Sequence, residues 1–127
     1  MIPSDRKYTK THEWVRFDGI VATVGITDHA QDALGDITFV ELPALGKNVK
    51  KGGECGVVES VKAASDIYSP VSGIISAVNG NLEIAPENIN TDPYGAGWLF
   101  SVKDTKAPEM DDLMDAQAYL EFLETEE

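Results

Sequence analysis

The stretch Cys55-Gly-Val-Val-Glu-Ser-Val-Lys-Ala-Ala-Ser-Asp-Ile-Tyr-Ser-Pro-Val71 decides the fold prediction. Its two arms, residues 55–61 and 67–71, are rich in the β-branched residues that favour strands. The centre, Lys62-Ala-Ala-Ser65, is short and carries small side chains around one lysine. We therefore predict a β-hairpin over about residues 54–72, with Lys62 exposed to water at its tip.

Short strand patterns separated by turns continue on both sides of this hairpin. Residues 13–17 and 20–26 are joined by Asp18-Gly19, a pair typical of tight hairpin turns. A very short strand is predicted near Val49, and residues 82–97 are expected to form a long irregular connection. Further strand patterns cover residues 37–42, 74–78 and 98–102. Many short strands at this spacing predict a mainly β fold, a sandwich or flattened barrel, in one domain over residues 1–127.

Two helices are predicted beside the strands. Thr27 or Asp28 can cap a short helix in the N-terminal half, and Gly35 suits its end. Pro108 fits the first turn of a C-terminal helix over about residues 108–123, whose first turns are acidic. Apolar residues at helical spacing are expected to pack this helix on the sheets: Met110, Leu113, Met114 and Leu120. The aromatic residues expected in or near the core are Trp14, Phe39, Tyr94 and Trp98.

Composition and charge exclude several classes of partner. The net charge is −12, from 22 acidic and 10 basic residues, so nucleic acids and anionic membranes are poor partners and basic protein faces are better ones. A role of this acidity in solubility alone stays an alternative. Cys55 is the only cysteine, which fits a reducing compartment. Without an apolar run of membrane length or a secretory or transit signal in the sequence given, we expect a cytoplasmic protein of bacterial type.

Few residues suggest catalysis or metal binding. His12, His29 and Cys55 lack the spacing of metal ligands, so no metal is expected. No Ser/His/Asp pattern and no phosphate-binding glycine loop is present, so no catalytic residue is predicted. Lysines are common in exposed turns, and Lys62 alone indicates nothing. Its setting is more informative, because the small side chains of Ala63 and Ala64 leave room for a modifying enzyme.

Motifs around the hairpin resemble those of the biotinyl/lipoyl carrier family: Gly46-x-x-Val-x-x-Gly52, Val57-Val-Glu59, Lys62 and Ser69-Pro-Val-Ser-Gly73. Biotin carriers have methionines beside the modified lysine, whereas this chain has Val61 and Ala63, as in the glycine cleavage H proteins. Further matches to the H proteins cover almost the whole chain: His12-Glu-Trp14, residues 24–31, residues 35–43, residues 90–94 and Gly97-Trp98. The resemblance implies a flattened barrel with the modified lysine on an exposed hairpin.

The resemblance implies a carrier rather than an enzyme. Lipoate would be attached covalently to Lys62, with Glu59 and Ala63 as the context that lipoylating enzymes recognise. The implied partners are glycine decarboxylase with pyridoxal phosphate, an aminomethyltransferase with tetrahydrofolate, and dihydrolipoamide dehydrogenase with FAD and NAD. The carrier would pass the aminomethyl group of glycine between the first two and electrons to the third, and we expect a monomer.

The resemblance also implies a cleft in which the loaded arm is sheltered from water. The matching residues here are Thr11, Glu13, Ile26 and Asp66. Glu13 and Asp66 would favour a protonated aminomethyl nitrogen, with simple solvation of both carboxylates as the alternative.

Three other functions remain open on the sequence. Two are carriers: an H-like protein that relays lipoate to other proteins, and a lipoyl domain of a 2-oxoacid dehydrogenase. The third, of another class, is an unmodified β-sandwich interaction module.

Overall fold

The structure, a computed structural model, describes residues 2–125 as short antiparallel strands with a few helices. The strands are β1 (Lys7–Tyr8), β2 (Glu13–Phe17), β3 (Val21–Ile26), β4 (Ile37–Glu41), β5 (Asn48–Val49), β6 (Glu54–Ser60), β7 (Ala64–Tyr68), β8 (Gly73–Val78) and β9 (Phe100–Lys103). The α-helices are α1 (Asp28–Leu34), α2 (Asn88–Thr91) and α3 (Ala116–Thr125), with 3-10 helices at Gly80–Glu83 and Ala107–Met110. The predicted mainly β fold with one helix in the N-terminal half and one at the C-terminus is confirmed.

Two sheets enclose the core. The larger has the strand order β1-β2-β3-β9-β8-β5 and the smaller has the order β4-β6-β7, with every neighbouring pair antiparallel. Side chains of the strands largely alternate between the inner and the outer face, with irregularities in β4, β6 and β8. The buried side chains that meet between the sheets include Val15, Val24, Ile75, Val102, Val40, Val58 and Ile67. Full burial of one such side chain contributes about 1.5–3 kcal/mol, so this layer holds the two sheets together.

The first hairpin and the first helix form as predicted. Asp18 Oδ1 accepts hydrogen bonds from Ile20 N and Val21 N, both at 2.8 Å, and Gly19 adopts φ 95° in the turn between β2 and β3. Thr27 Oγ1 accepts from Ala30 N at 3.2 Å and caps α1. Gly35 ends α1 with φ 82°, and its N–H donates to Gln31 O.

The C-terminal helix begins at Ala116, so the predicted start at residue 108 is wrong. Pro108 belongs instead to the 3-10 helix at Ala107–Met110. Tyr8 N donates to Met114 O at 2.8 Å and Met114 N donates to Tyr8 O at 3.0 Å, so Met114 is extended and forms an isolated antiparallel bridge with Tyr8. An extended backbone cannot also make helical hydrogen bonds, so α3 starts only after Asp115, whose Oδ1 accepts from Ala118 N. Leu120 is 44% exposed, and the buried residue of α3 is Tyr119.

Other local predictions also need correction. The connection at 82–97 contains the short helix α2, and the last strand starts at Phe100 rather than residue 98. The second arm of the central hairpin is β7, which begins at Ala64, because Ala64 pairs with Glu59 despite its modest strand propensity. Phe39 is 51% exposed, so its expected place in the core is wrong.

A second, smaller core attaches α3 to the outer face of the larger sheet. Tyr8, Trp14 and Tyr119 are buried there, and the rings of Tyr8 and Tyr119 stack with centroids 4.8 Å apart. Tyr94 and Trp98 pack half-buried against this cluster. The ring of Trp14 lies directly against Gly25, where a Cβ atom would meet it at 2.6 Å. None of the helices within residues 2–125 has the length and apolarity that a membrane crossing needs.

Candidate functional site

The tip of the β6–β7 hairpin is a four-residue turn from Ser60 to Ala63. Ser60 N donates to Ala63 O at 2.8 Å, and Ser60 Oγ accepts from Lys62 N at 3.1 Å and from Ala63 N at 3.2 Å. Val61 N donates to Asp36 O at 3.1 Å, which ties the turn to the loop between α1 and β4. The backbone at Lys62 is therefore fixed by hydrogen bonds, although its side chain is exposed.

The side chain of Lys62 extends past Gly35. A Cβ atom built on Gly35 would lie 3.4 Å from Lys62 Cε, an ordinary van der Waals distance, so the aliphatic part of the lysine runs close to the end of α1. No ion pair of Lys62 occurs among residues 2–125. Ala63 and Ala64 beside it are exposed and small. The amine is thus open to a large modifying enzyme from the solvent side.

Glu13 is a buried carboxylate in a polar cradle. Its exposed fraction is only 1%, and its Oε1 accepts hydrogen bonds from Thr9 Oγ1 at 2.7 Å and from Thr11 Oγ1 at 2.5 Å. Its Oε2 accepts from Tyr68 N at 3.2 Å. Burial raises the pKa of Glu13, and the hydrogen bonds from Thr11, Thr9 and Tyr68 oppose this effect by stabilising the charged form.

An open cavity of about 370 Å³ lies beside Glu13. Its polar end contains Thr9, Thr11 and Glu13, while its other walls carry the ion pair of Lys51 and Asp112, Lys10 and several apolar side chains. The apolar side chains are Tyr8, Tyr68, Pro70, Leu113 and Met114. A cavity with a hydrogen-bonded carboxylate at one end and apolar side chains along part of its walls is chemically suited to an apolar chain that ends in a cation.

The segment between the 3-10 helix at Ala107–Met110 and α3 forms one wall of this cavity. Lys51 Nζ contacts Asp112 Oδ1 and donates to Glu109 O. Ser72 N donates to Glu109 Oε1 at 2.8 Å. Together with the Tyr8–Met114 backbone hydrogen bonds, these contacts hold the wall against β1 and the loop after β7.

The structure brings together only part of the predicted cleft. Thr11 and Glu13 both line the cavity. Ile26 pairs with Glu13 across β2 and β3, but its side chain is buried in the main core. Asp66 is exposed on the outer face of the smaller sheet, two residues before Tyr68. There its carboxyl group hydrogen-bonds and repels that of Glu54, which raises the pKa of Glu54.

Thr9 and Tyr68 complete the cradle and were missed by sequence reasoning. Thr9 and Thr11 lie in the turn between β1 and β2, so the alternation of a strand does not apply to them and gave no signal that they meet Glu13. Tyr68 contributes only its backbone N–H, so its side-chain type carried no signal.

The remaining chemically notable residues have structural settings. Burial raises the pKa of Cys55 to about 12, so its thiol stays protonated at neutral pH. His12 Nδ1 lies 2.8 Å from Tyr119 Oη, and its ring is 4.6 Å from that of His29. No cluster of three or more His, Cys, Asp or Glu suited to a metal ion occurs within residues 2–125.

Comparison with known proteins gives a consistent result over nearly the whole chain. The family model described as Glycine cleavage H-protein matches residues 6–126. The glycine cleavage system H protein of a Thermus thermophilus strain is 57% identical over 125 residues, which are 98% of each chain. That of Aeromonas salmonicida is 56% identical over 126 residues, again 98% of each. The crystal structure of a glycine cleavage system H protein from Mycobacterium marinum is similar with a TM-score of 0.85 at 44% identity, covering 94% of this chain and 97% of that one.

Proposed function

Because the chain belongs to the glycine cleavage H-protein family, we propose that it carries lipoate as an amide on Lys62. The family consists of lipoyl-carrying proteins of glycine cleavage that are not themselves enzymes. The single observation that carries the assignment to Lys62 is its position at the tip of a hydrogen-bonded turn, exposed on the solvent side.

The residues around Lys62 fit such an attachment. Ser60 holds the turn, so the amine is presented on a fixed backbone, while the aliphatic part of the side chain runs close to Gly35. Ala63 and Ala64 add no bulk, and Glu59 lies at the end of β6 where a lipoylating enzyme would reach it. Amide formation removes the positive charge of Lys62, which leaves a neutral, flexible arm.

When bound, lipoate supplies a disulfide that accepts an aminomethyl group and, after reduction, gives up electrons on reoxidation. The partners we propose are glycine decarboxylase with pyridoxal phosphate, the tetrahydrofolate-dependent aminomethyltransferase and dihydrolipoamide dehydrogenase with FAD and NAD. The hairpin contributes reach, because a tethered group has a high effective concentration at each active site in turn.

We propose that the cavity beside Glu13 shelters the amine carried by the arm. The Glu13 carboxylate would hold a protonated nitrogen at the polar end, while Tyr8, Leu113 and Met114 would exclude water from the apolar part. Thr9 and Thr11 keep the carboxylate oxygens oriented. Asp66 would act at most through its charge near the mouth, since its side chain faces Glu54.

The test combines mass measurement with reconstitution. Protein treated with a lipoylating enzyme should gain one lipoyl group on Lys62, and the modified form should support glycine decarboxylation with a glycine decarboxylase from a relative. Unmodified protein and Lys62→Arg should support none. Absence of any lipoyl adduct would contradict the carrier assignment and favour an interaction module. An adduct without acceptance of the aminomethyl group would indicate a lipoate-relay role instead.

A further inference from the structure

The outer face of the smaller sheet has a regular arrangement of exposed side chains next to the Lys62 turn. Phe39, Glu59 and Ala64 pair across β4, β6 and β7 and form the row adjoining the turn. Glu41, Val57 and Asp66 form the next row. All of them are exposed except Val57, which is half-buried.

Phe39 reaches this face because β4 contains a bulge. The register of β4 on β6 shifts between Ile37 and Phe39. Ile37 and Val40 both point into the core, although they are three residues apart, and Phe39 between them is 51% exposed. In a regular strand, Phe39 would share the inner face with Ile37, because side chains alternate. The bulge therefore directs an aromatic side chain outward that the core could otherwise have buried.

The rest of this face is acidic. Glu41, Glu54, Glu59 and Asp66 are exposed on it, and within residues 2–125 none of them forms an ion pair. The neighbouring carboxyl group of Asp66 raises the pKa of Glu54, first through a hydrogen bond and then through charge repulsion, and the charge of Lys47 opposes this. A cationic group placed against this pair would relieve the repulsion, so the face complements a basic surface.

We propose that this face, centred on Phe39, is the docking surface for the enzyme that acylates Lys62, and that this enzyme presents an apolar pocket with a basic rim. This inference rests on the proposed lipoylation of Lys62. An active site that covers the turn must also cover the adjoining row, because neighbouring strands are only about 4.8 Å apart. The same surface contains Glu59, so the lipoylating enzyme would contact Glu59 and Phe39 in one interface.

Phe39 and the carboxylates have separable roles in this interface. Burial of the exposed ring against the enzyme keeps the complex together, as aromatic anchors do at the centre of interfaces. The carboxylates accelerate encounter with the basic rim, so their effect depends on salt. Loss of Phe39 should therefore raise the KM of the acylating enzyme for the carrier at any salt concentration. Loss of the carboxylates should instead weaken the salt dependence of kcat/KM.

The experiment measures acylation of the full unmodified chain by a purified lipoate ligase supplied with ATP and lipoate. Phe39→Ala should raise the KM for the carrier about ten-fold or more with kcat nearly unchanged. The KM of Phe39→Leu, which keeps an apolar side chain, should fall between those of wild type and Phe39→Ala. This graded result would distinguish lost contact from a folding artefact. Ile20→Ala removes another exposed apolar residue, 76% exposed on the β2–β3 turn, and should leave KM unchanged. The pair Glu41→Gln and Asp66→Asn should weaken the dependence of kcat/KM on salt.

The outcomes separate this inference from the proposed function. Equal kcat/KM for Phe39→Ala and wild type, with Lys62 modified in both, would overturn the docking face and leave lipoylation intact. Normal acylation of Phe39→Ala combined with slower aminomethyl loading would assign the face to a later partner and also overturn the proposal. Failure of the wild type to accept lipoate would instead contradict the proposed function itself.

Discussion

The hairpin tip and the cavity beside Glu13, the two regions to which we assign a function, are built in different ways. The tip consists of consecutive residues, with Ser60 closing the turn that presents Lys62. The cavity is assembled from four distant segments, around residues 8–13, 51–52, 68–70 and 112–114. The tip exposes the amine of Lys62 to water, whereas the carboxylate of Glu13 beside the cavity is buried.

This difference determines what each region contributes to stability. An exposed side chain at a turn makes few contacts, so its replacement changes chemistry and leaves the free energy of unfolding almost unchanged. A buried carboxylate is held by specific hydrogen bonds and carries a desolvation penalty, so its replacement alters function and stability together. Substitutions that separate chemistry from stability therefore test whether the two regions have these roles.

The largest effect is expected for Lys62→Arg, which should abolish lipoylation completely. Arginine keeps the charge and length but has no amine that can form the amide. The melting temperature should stay close to that of the wild type, because the side chain is exposed. Peptide mapping after incubation with the ligase is the measurement, with wild type as control. A lipoyl group found on another lysine of the variant would contradict the assignment.

A smaller effect is expected for Glu13→Gln, which should shorten the lifetime of the loaded carrier. A hydrogen bond to a charged group contributes about 1.5–3 kcal/mol, so the sheltered state should lose about ten-fold or more in population. Asp66→Asn should have a weaker effect, because Asp66 faces Glu54 rather than the cavity. The measurement is formaldehyde release from purified loaded protein at low and high salt. Unchanged release in Glu13→Gln would remove the cavity from the mechanism.

The sequence predicted the tip better than the cavity for a physical reason. Strand propensity, turn residues and a lysine between them are local signals, and they placed Lys62 at a hairpin end, as the structure does. The cradle of Glu13 depends on Tyr68 N, 55 residues away in sequence, which no local pattern reveals. The predicted start of α3 was wrong because it also depends on distant residues: the hydrogen bonds of Met114 with Tyr8 override the helical pattern that begins at residue 108. The exposure of Phe39 required a bulge that the alternation of β4 does not show.

A still smaller effect is expected at the tip itself, where Glu59→Ala should slow lipoylation several-fold. Glu59 is exposed beside the turn, so its loss removes a charge that a basic enzyme surface would use. The matched control is Glu83→Ala, which removes an exposed acid from the 3-10 helix at Gly80–Glu83. Initial rates at matched carrier concentration are compared, with circular dichroism to verify folding. Equal rates for the variant and the control would mean that Glu59 is not part of the recognition surface.

The smallest effect concerns two acids in the cavity wall whose pKa values shift in opposite directions. Burial raises the pKa of Glu13 above its ordinary value of 4.5, whereas the hydrogen bond from Lys51 lowers the pKa of Asp112 below 3.8. The contribution of Glu13 to stability is complete below its unfolded pKa and is lost as pH rises through the raised folded pKa. The contribution of Asp112 is present above its unfolded pKa and is lost as pH falls through the lowered one.

Urea unfolding of wild type, Glu13→Gln and Asp112→Asn from pH 3 to 8 should reveal these two opposite pH dependences of the free energy of unfolding. The stability of wild type relative to Glu13→Gln should decrease as pH rises above about 4.3, the ordinary range of a glutamate. Relative to Asp112→Asn it should decrease only as pH falls below about 3.9, and only slightly, because the Asp112 side chain is 74% exposed and its ion pair is screened by water. If the stability differences between wild type and the variants do not vary with pH, neither carboxyl group changes its pKa on folding. A change of the same sign for both would mean that folding lowers the pKa of Glu13, so that its hydrogen bonds outweigh its burial, and the cavity would not be the desolvated counterpart of the Lys62 tip.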